Sequence, residues 1–593
     1  MPSLPPQKSD FGTLIFHWLI ALSLLGCILT GLAIASADNP NILIVRLFGF
    51  VLPGENLWYY HLIAGMGLCG SMVAYATYMM RSRLGGRLIP KISVLSVISN
   101  TPAKWIILNA FLYWLLFGAV TLSLASGACL FLGYGWPVRV IHLHETWFFA
   151  AFIFVHPILH WMSGGWGQLL RIVRPQWRLP PEEPPLVDAL IERLREMEDD
   201  KALAETPGRS ANPRAPTNPI RRTAGAPLAI AAMTAIIAAC VSLFSELETR
   251  QTLIVKRVSP QDAPSANGPP SYTAWRLAPV ATVVTQHGAN FGNGETKVEI
   301  RAVHDGAFVY FSFVWSDPAP SMMHMPLVKS NDGWRLLRSA RPGNETRVHE
   351  DKFSVLLAAG GQHLIGKGIH LGRHPLAGKP ESATGRGLHY IEGGVGEIWQ
   401  WRASHGGMLG WIDHGHFGSP LPASAITAAR RYTGGFSLDR EPPYRDNFEV
   451  LSEDEAYPLV RPLRFPSNAA GFVRLASLSL DVDNSGGQAF RSWLTPADSV
   501  PYSEEIDRAV PAGTVIPGSL LFPEQMKSDG DLGPVGLAQW SAGRWCLEVK
   551  RRLDTGSARD VVIKTGALMW VAAFDHAETW HTYHVRPLEL EVE

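Results

Sequence analysis

The sequence predicts a bundle of membrane-spanning α-helices followed by an all-β sandwich, and three observations predict it. The chain has 593 residues, too many for one ordinary domain. Five stretches before about Ser245 are apolar for long enough to cross a bilayer, which takes about 20 residues of helix. From about Gln286 onward the apolar period shortens to two, the mark of half-buried strands.

The average composition hides this division. Lys plus Arg and Asp plus Glu number 52 each, so a net charge of zero gives no argument for nucleic acid or an acidic partner. Cys27, Cys69, Cys129 and Cys240 lie in or beside apolar segments. Cys546 stands alone in the polar half, which excludes a disulfide within that half. No Cys-x-x-Cys-His occurs, and no cysteine pair suits an iron–sulfur cluster or zinc.

The expected spans run near Phe11–Ala35, Leu57–Met80, Trp105–Leu132, His142–Trp166 and Ala226–Phe244. The first lacks a small-residue cleavage site and leads directly into further spans, so it reads as a retained helix. Arg81, Arg83, Arg87, Lys91 and Lys104 crowd the loop after the second span, and Arg171, Arg174 and Arg178 follow the fourth. The loops after the first and third spans carry only Arg46 and Arg139. This asymmetry places the N-terminus in the cytoplasm of a multi-pass bacterial inner-membrane protein. The expected organisation is a four-helix membrane domain over 1–178, a proline-rich cytoplasmic linker over 179–225, a fifth transmembrane helix over 226–245 and a periplasmic β domain over 246–593.

Ligating side chains inside a membrane are costly and mark function by default. Six histidines fall here: His17, His61, His142, His144, His156 and His160. His142 and His156 are fourteen residues apart on one helix. That is close to four turns and about 21 Å, so both rings leave the same face, one near each surface. By chain direction His17 belongs to the inner side with His156, and His61 to the outer side with His142. Each pair could clamp one haem iron between facing helices. Gly31 and Gly65 remove bulk where a flat macrocycle could approach. His144 points to another side of the helix. His160, one turn beyond His156, suits a haem propionate or a quinone, and Pro157 offers a bend between them.

These residues resemble a known family. Histidines on the first and second helices and twice on the fourth, with His142-Leu-His-Glu-Thr-Trp147-Phe-Phe-Ala-Ala-Phe152-Ile-Phe-Val-His156, His17-Trp18 and Thr30-Gly31, look like the di-haem cytochrome b subunits of nickel-iron hydrogenases and formate dehydrogenases. The resemblance covers about residues 10–175. It implies two haem b groups and transmembrane electron transfer, often with a quinone or quinol.

In the second half, Lys297–His304 alternates, Asp305-Gly306 reads as a turn, and Phe308–Trp315 returns as a strand. Further strands are expected at Phe353–Ala358, Gly471–Leu480, Trp545–Leu553, Ala567–Phe574 and Leu588–Val592. Trp315-Ser-Asp-Pro318, Glu350-Asp-Lys352, Arg386-Gly-Leu-His-Tyr390, Glu397-Ile-Trp-Gln-Trp-Arg-Ala403 and Lys550-Arg-Arg-Leu-Asp-Thr-Gly556 make roughly 272–593 similar to the haem-binding subunit of ethylbenzene dehydrogenase. That resemblance implies a third, non-covalent haem b. The family's axial methionine and lysine are replaced here by His389 and His584, with His581, His370 and Met325 as fallbacks. His405, His414 and His416 match no zinc spacing and are expected in a loop.

The expected function is a membrane-bound multihaem b-type cytochrome that passes electrons between the quinone pool or the cytoplasmic side and a periplasmic redox protein or catalytic subunit. The alternative is a self-contained periplasmic haem oxidoreductase acting on a small molecule, which would need an open axial position. A ligand-sensing module with a passive anchor fits the six intramembrane histidines least well. No nucleophile elbow, P-loop or dinucleotide fingerprint occurs in a convincing context.

Overall fold

The computed structural model of the chain describes residues 9–35, 57–82, 102–173, 175–176, 226–247, 251–264, 272–337, 348–359, 395–418, 436–452, 457–478, 492–526, 533–578, 580–584 and 586–593. The linker expected over 179–225 lies outside them. The chain forms two compact units: a helical one within Met1–Ile34, Leu57–Leu130 and Pro137–Phe244, and a β-rich one formed by Ser245–Glu593 with two short excursions.

Four long helices make the first unit: α1 (Phe11–Ala35), α2 (Leu57–Arg81), α3 (Pro102–Phe131) and α4 (Trp136–Leu169). All four are long and apolar enough to cross a membrane. Helix is what such sequences must form in lipid, because every backbone N–H and C=O has to be satisfied within the segment. Ser9–Asp10, just before α1, pairs with Pro175–Gln176, just beyond α4, so both ends lie on one side of the bundle. Trp18 Nε1 donates to the Ile172 carbonyl at 3.2 Å and reinforces this register. In α4 the backbone leaves helical geometry at Gly164 and Gly165, not at Pro157. Gly165 takes φ +62°, which a residue with a Cβ resists.

A fifth helix, α5 (Ala226–Leu247), packs on α2. A Cβ at Gly70 would meet Ile237 Cγ1 at 2.9 Å, so the missing side chain is what lets the two helices approach. Phe16, Ala74, Tyr78, Met79 and Ala229 form the buried seam there.

Twelve strands of the β unit belong to one sheet: β1 (Thr252–Arg257), β2 (Ala281–Thr285), β3 (Thr296–His304), β4 (Phe308–Ser316), β5 (Lys352–Ala358), β6 (Gly396–Arg402), β7 (Asp413–Phe417), β8 (Phe436–Leu438), β9 (Val535–Ser541), β10 (Arg544–Arg552), β11 (Leu568–Phe574) and β12 (Leu588–Val592). The order is β8-β7-β6-β5-β11-β12-β1-β3-β4-β10-β9, with β2 also on β3. β4 and β6 are separated by five strands in that order. Yet Phe311 on β4 lies 5.8 Å from Trp399 on β6, and Trp315 lies 6.1 Å from Trp401. The sheet therefore curls over its own core into a half-barrel. A bridge from Trp411 to Val535 brings the two ends of the strand order together.

A second sheet of six strands runs in the order Phe448–Ser452, Leu459–Pro462, Gly333–Leu336, Leu327–Ser330, Thr514–Ile516, Val473–Arg474. It has its own core around Trp334 and Phe465. The strand expected over Gly471–Leu480 shrinks to Val473–Arg474 between two 3-10 turns. Phe472 and Leu475 there pack into two different small cores, so their apolar spacing did not denote one continuous strand. His414 and His416, expected in a loop, sit on β7, where they pair with Trp399 and Glu397 of β6.

Candidate functional site

In the helical unit, the His17 and His156 ring centroids are 6.2 Å apart, and those of His61 and His142 are 6.1 Å apart. Two imidazoles on opposite sides of one metal, each bonded at about 2 Å, have centroids about 6 Å apart, so both spacings suit a shared iron. The partners of the other ring nitrogens point the same way. Thr30 Oγ1 donates to the Gly26 carbonyl at 2.6 Å and so accepts from His61 Nδ1 at 3.0 Å. Ser126 Oγ donates to the Ser123 carbonyl and accepts from His142 Nδ1 at 2.9 Å. Asn109 Oδ1 accepts from His156 Nδ1 at 3.1 Å. In each of these three rings Nδ1 carries the proton and Nε2 keeps its lone pair, the tautomer a metal needs.

Glycines shape the same region. A Cβ at Gly31 would meet His61 Cε1 at 3.0 Å, and one at Gly127 would meet His142 Cε1 at 3.2 Å. Gly31 thus admits the His61 ring to α1, while a Cβ at Gly65 would meet nothing within 4 Å. His144 turns back on its own helix, with Nδ1 donating to the Val140 carbonyl at 2.7 Å. His160 Nε2 takes Asn109 Nδ2 at 3.2 Å and Tyr113 OH at 3.3 Å. Thr30 belonged to a quoted sequence segment without a role; Asn109, Ser126 and Tyr113 gave no sequence signal beyond being polar in a span.

In the β unit a different group of residues comes together. Glu350 is fully buried just before β5. Its carboxylate accepts from Arg402 Nε at 2.8 Å, from His405 Nδ1, and from both the backbone and the hydroxyl of Ser404. Burial alone would raise the Glu350 carboxyl; the charges of His405 and Arg402 outweigh it and hold it well below the usual carboxylate range. Beyond Arg402 lies Tyr444, whose hydroxyl donates to Asp413. On the other side, the rings of His324 and His405 meet edge to face at 4.5 Å, and those of His324 and His349 at 5.3 Å. His349 Nδ1 lies 3.1 Å from Glu578 Oε2, to which Lys352 Nζ donates at 2.8 Å.

One residue holds these loops in place. The buried Asp351 carboxylate accepts from Ser321 N at 2.6 Å, His576 N at 3.1 Å and Trp545 Nε1 at 3.0 Å. It thereby ties the segments that carry His324, Glu578 and Glu350 to strand β10. Burial, then the neighbouring Asp575 charge, push the Asp351 carboxyl well above its ordinary value. The Glu350-Asp-Lys352 segment read from the sequence is thus one cluster residue, one loop knot and one ion-pair donor.

The remaining expected residues are dispersed. His389 and His370 lie outside the described residues. His584 donates from Nδ1 to the Arg586 carbonyl at 2.6 Å and accepts the Val571 amide at Nε2, 2.9 Å. Both nitrogens are engaged, so an axial bond to iron would have to replace one of these partners. His581 Nδ1 donates to the Thr582 carbonyl at 2.9 Å, and Met325 packs beside the core of the second sheet. His405 joins His324 and His349, apart from His414 and His416, which face Asp439 at 3.9 and 2.8 Å. Sequence reasoning passed over His324 and His349 because neither belongs to a spaced motif; adjacency of His349 to Glu350-Asp-Lys352 was the available signal.

No curated protein matches the chain. Among solved structures, a candidate carbohydrate-binding protein from Bacteroides uniformis is similar at 8% identity and a TM-score of 0.25, covering 58% of this chain and 99% of that one. A family 9 carbohydrate-binding module from Caldicellulosiruptor kristjanssonii in complex with glucose is similar at 6% identity and a TM-score of 0.20, covering 58% and 95%. The model of the ethylbenzene dehydrogenase family matches residues 272–586, more than half of the sequence and nearly all of the β unit, and the chain belongs to that family.

Proposed function

We propose that the protein is a membrane-bound b-type cytochrome that carries electrons across the bilayer and exchanges them with a redox partner through its ethylbenzene dehydrogenase-like domain. The observation that carries the reading is the pair of facing histidines at each end of the helical unit, with centroids 6.2 and 6.1 Å apart. Haem b, when bound, would supply one-electron transfer. His17 with His156 would hold one group and His61 with His142 the other. Thr30, Ser126 and Asn109 fix three of the four rings, and the surrounding apolar helices keep water from the irons. The inner-membrane location, the cytoplasmic N-terminus and exchange with quinol near His160 belong to this proposal. A third haem on His389 and His584 would require the His584 ring to release the Arg586 carbonyl or the Val571 amide.

Haem content of the detergent-solubilised protein, measured by the pyridine haemochrome method, tests this. About two haems per chain are expected, falling to about one in His17→Ala and in His142→Ala. A third haem that His584→Ala removes would extend the chain of carriers into the β unit. No haem, or a content that neither membrane variant changes, overturns the reading.

A further inference from the structure

We propose that His324, His349 and Glu578 form a binding site for a divalent transition-metal ion in the β unit, independent of the histidines in the helical unit. The three offer ligand atoms that lie within 4.8 Å of one another. Two imidazoles and one carboxylate are the donor set that zinc and non-haem iron sites share, with further positions left open.

Four observations support the assignment. The His324 ring is only 4% exposed, yet among the described residues its Nδ1 has no hydrogen-bond partner; its nearest carboxylate contact is Glu350 Oε1 at 3.9 Å. A buried polar nitrogen left in this way is costly unless something binds it.

The backbone is strained where the ligands are presented. Met325, next to His324, takes φ +40°; Val348, next to His349, takes φ +63°; His576, two residues before Glu578, takes φ +35°. A β-branched residue at positive φ is a marked outlier, and such strain persists where surrounding contacts over-determine a site. Met325 N donates to the Val348 carbonyl at 2.9 Å and locks two of the strained residues together.

The charge balance also admits a cation. Glu350, Glu578 and Asp413 lie around Arg402 and Lys352, and the Asp446 charge also acts on Arg402 and Glu578. Finally, Glu350 is the less suitable carboxylate, because Arg402, Ser404 and His405 already occupy both its oxygens. It serves instead to orient His405 against the His324 ring. Glu578 Oε2 accepts from Lys352 Nζ at 2.8 Å and lies 3.1 Å from His349 Nδ1.

The test is titration of the chelator-treated, detergent-solubilised full chain with Co²⁺, followed by the visible ligand-field absorption of bound cobalt, with Zn²⁺ as competitor. One Co²⁺ per chain is expected, displaced by Zn²⁺. Affinity should fall at least about tenfold in His324→Ala, His349→Ala and the near-isosteric Glu578→Gln, and hold in His416→Ala. Thermal melts of each variant show whether it is folded, and Glu578→Gln carries the test if the alanine variants are not. Absence of a saturable cobalt spectrum overturns the proposal, as does a spectrum that Glu578→Gln leaves intact. Loss of haem from His324→Ala or His349→Ala would mean that these rings hold haem, and would overturn it too; loss of haem from His17→Ala alone bears only on the membrane cytochrome.

Discussion

At the scale of single residues, the hydroxyls and amides behind the membrane histidines carry as much information as the rings. Ser126 holds His142 Nδ1 at 2.9 Å and lies 3.4 Å from the buried Glu145 carboxyl. Removing such an outer partner loosens a metal group without removing a ligand. If His61 and His142 hold a haem as proposed, Ser126→Ala is expected to weaken its retention about 10–100-fold, measured by transfer to an excess of a haem-scavenging apoprotein. A haem held as proposed by His17 and His156 should be unaffected, because the polar support of His156 is Asn109 rather than Ser126. Equal loss of both groups would contradict the assignment of pairs. These supports were not legible in the sequence, where a serine in a span is indistinguishable from ordinary small-residue packing.

At the scale of elements, strand β10 ends in a buried charge that the sheet cannot dispense with. Arg551 is 0% exposed and its Nη2 donates to Glu397 of β6 at 2.7 Å. Glu397 also takes Trp399 Nε1, His414 Nε2 and the Val561 amide. Arg551→Met leaves that carboxylate buried without its charge partner, and a loss of about 3–5 kcal/mol is expected. Denaturant unfolding read by tryptophan emission reports it, since Trp399 is buried beside the pair. A change below about 1 kcal/mol would show that the pair is not structural. The loop carrying His324 has a comparable weak point. A Cβ at Gly518 would lie 1.9 Å from the Met325 carbonyl oxygen, so Gly518→Ala should displace that loop and reduce Co²⁺ affinity with the sheets intact by circular dichroism.

At the scale of the whole molecule, the β unit concentrates buried histidines and carboxylates, and this sets its response to acid. Burial lowers His584 to about 4, and His324 is lowered for the same first reason. A histidine near 6.5 in the unfolded chain binds protons there first, so stability is full above about pH 6.5 and falls as pH drops toward the folded values. Glu350 and Glu578 are depressed below the ordinary carboxylate range, and their contribution is lost only as pH falls below about 4.3. The thermal midpoint of the β unit should therefore decline in two stages on acidification, beginning near pH 6.5. A midpoint flat from pH 7 to 5 would contradict the buried, neutral histidines.

The sequence by itself determined the division into apolar helices and β strands, because lipid burial and strand alternation each impose a period on every residue. The helix Phe11–Ala35 and the strand Leu588–Val592 were readable to the residue for that reason, whereas the helix expected from His142 begins at Trp136. The grouping of the membrane histidines into two depths followed from helix rise and chain direction alone. What only the tertiary structure decided is everything that depends on side chains meeting from distant positions. The curl that sets Phe311 against Trp399, the loop knot at Asp351, and the convergence of His324, His349, His405 and Glu578 come from four separate loops. No local period links those loops; they meet because the sheet order puts β4, β5, β6 and β11 around one end of a shared core.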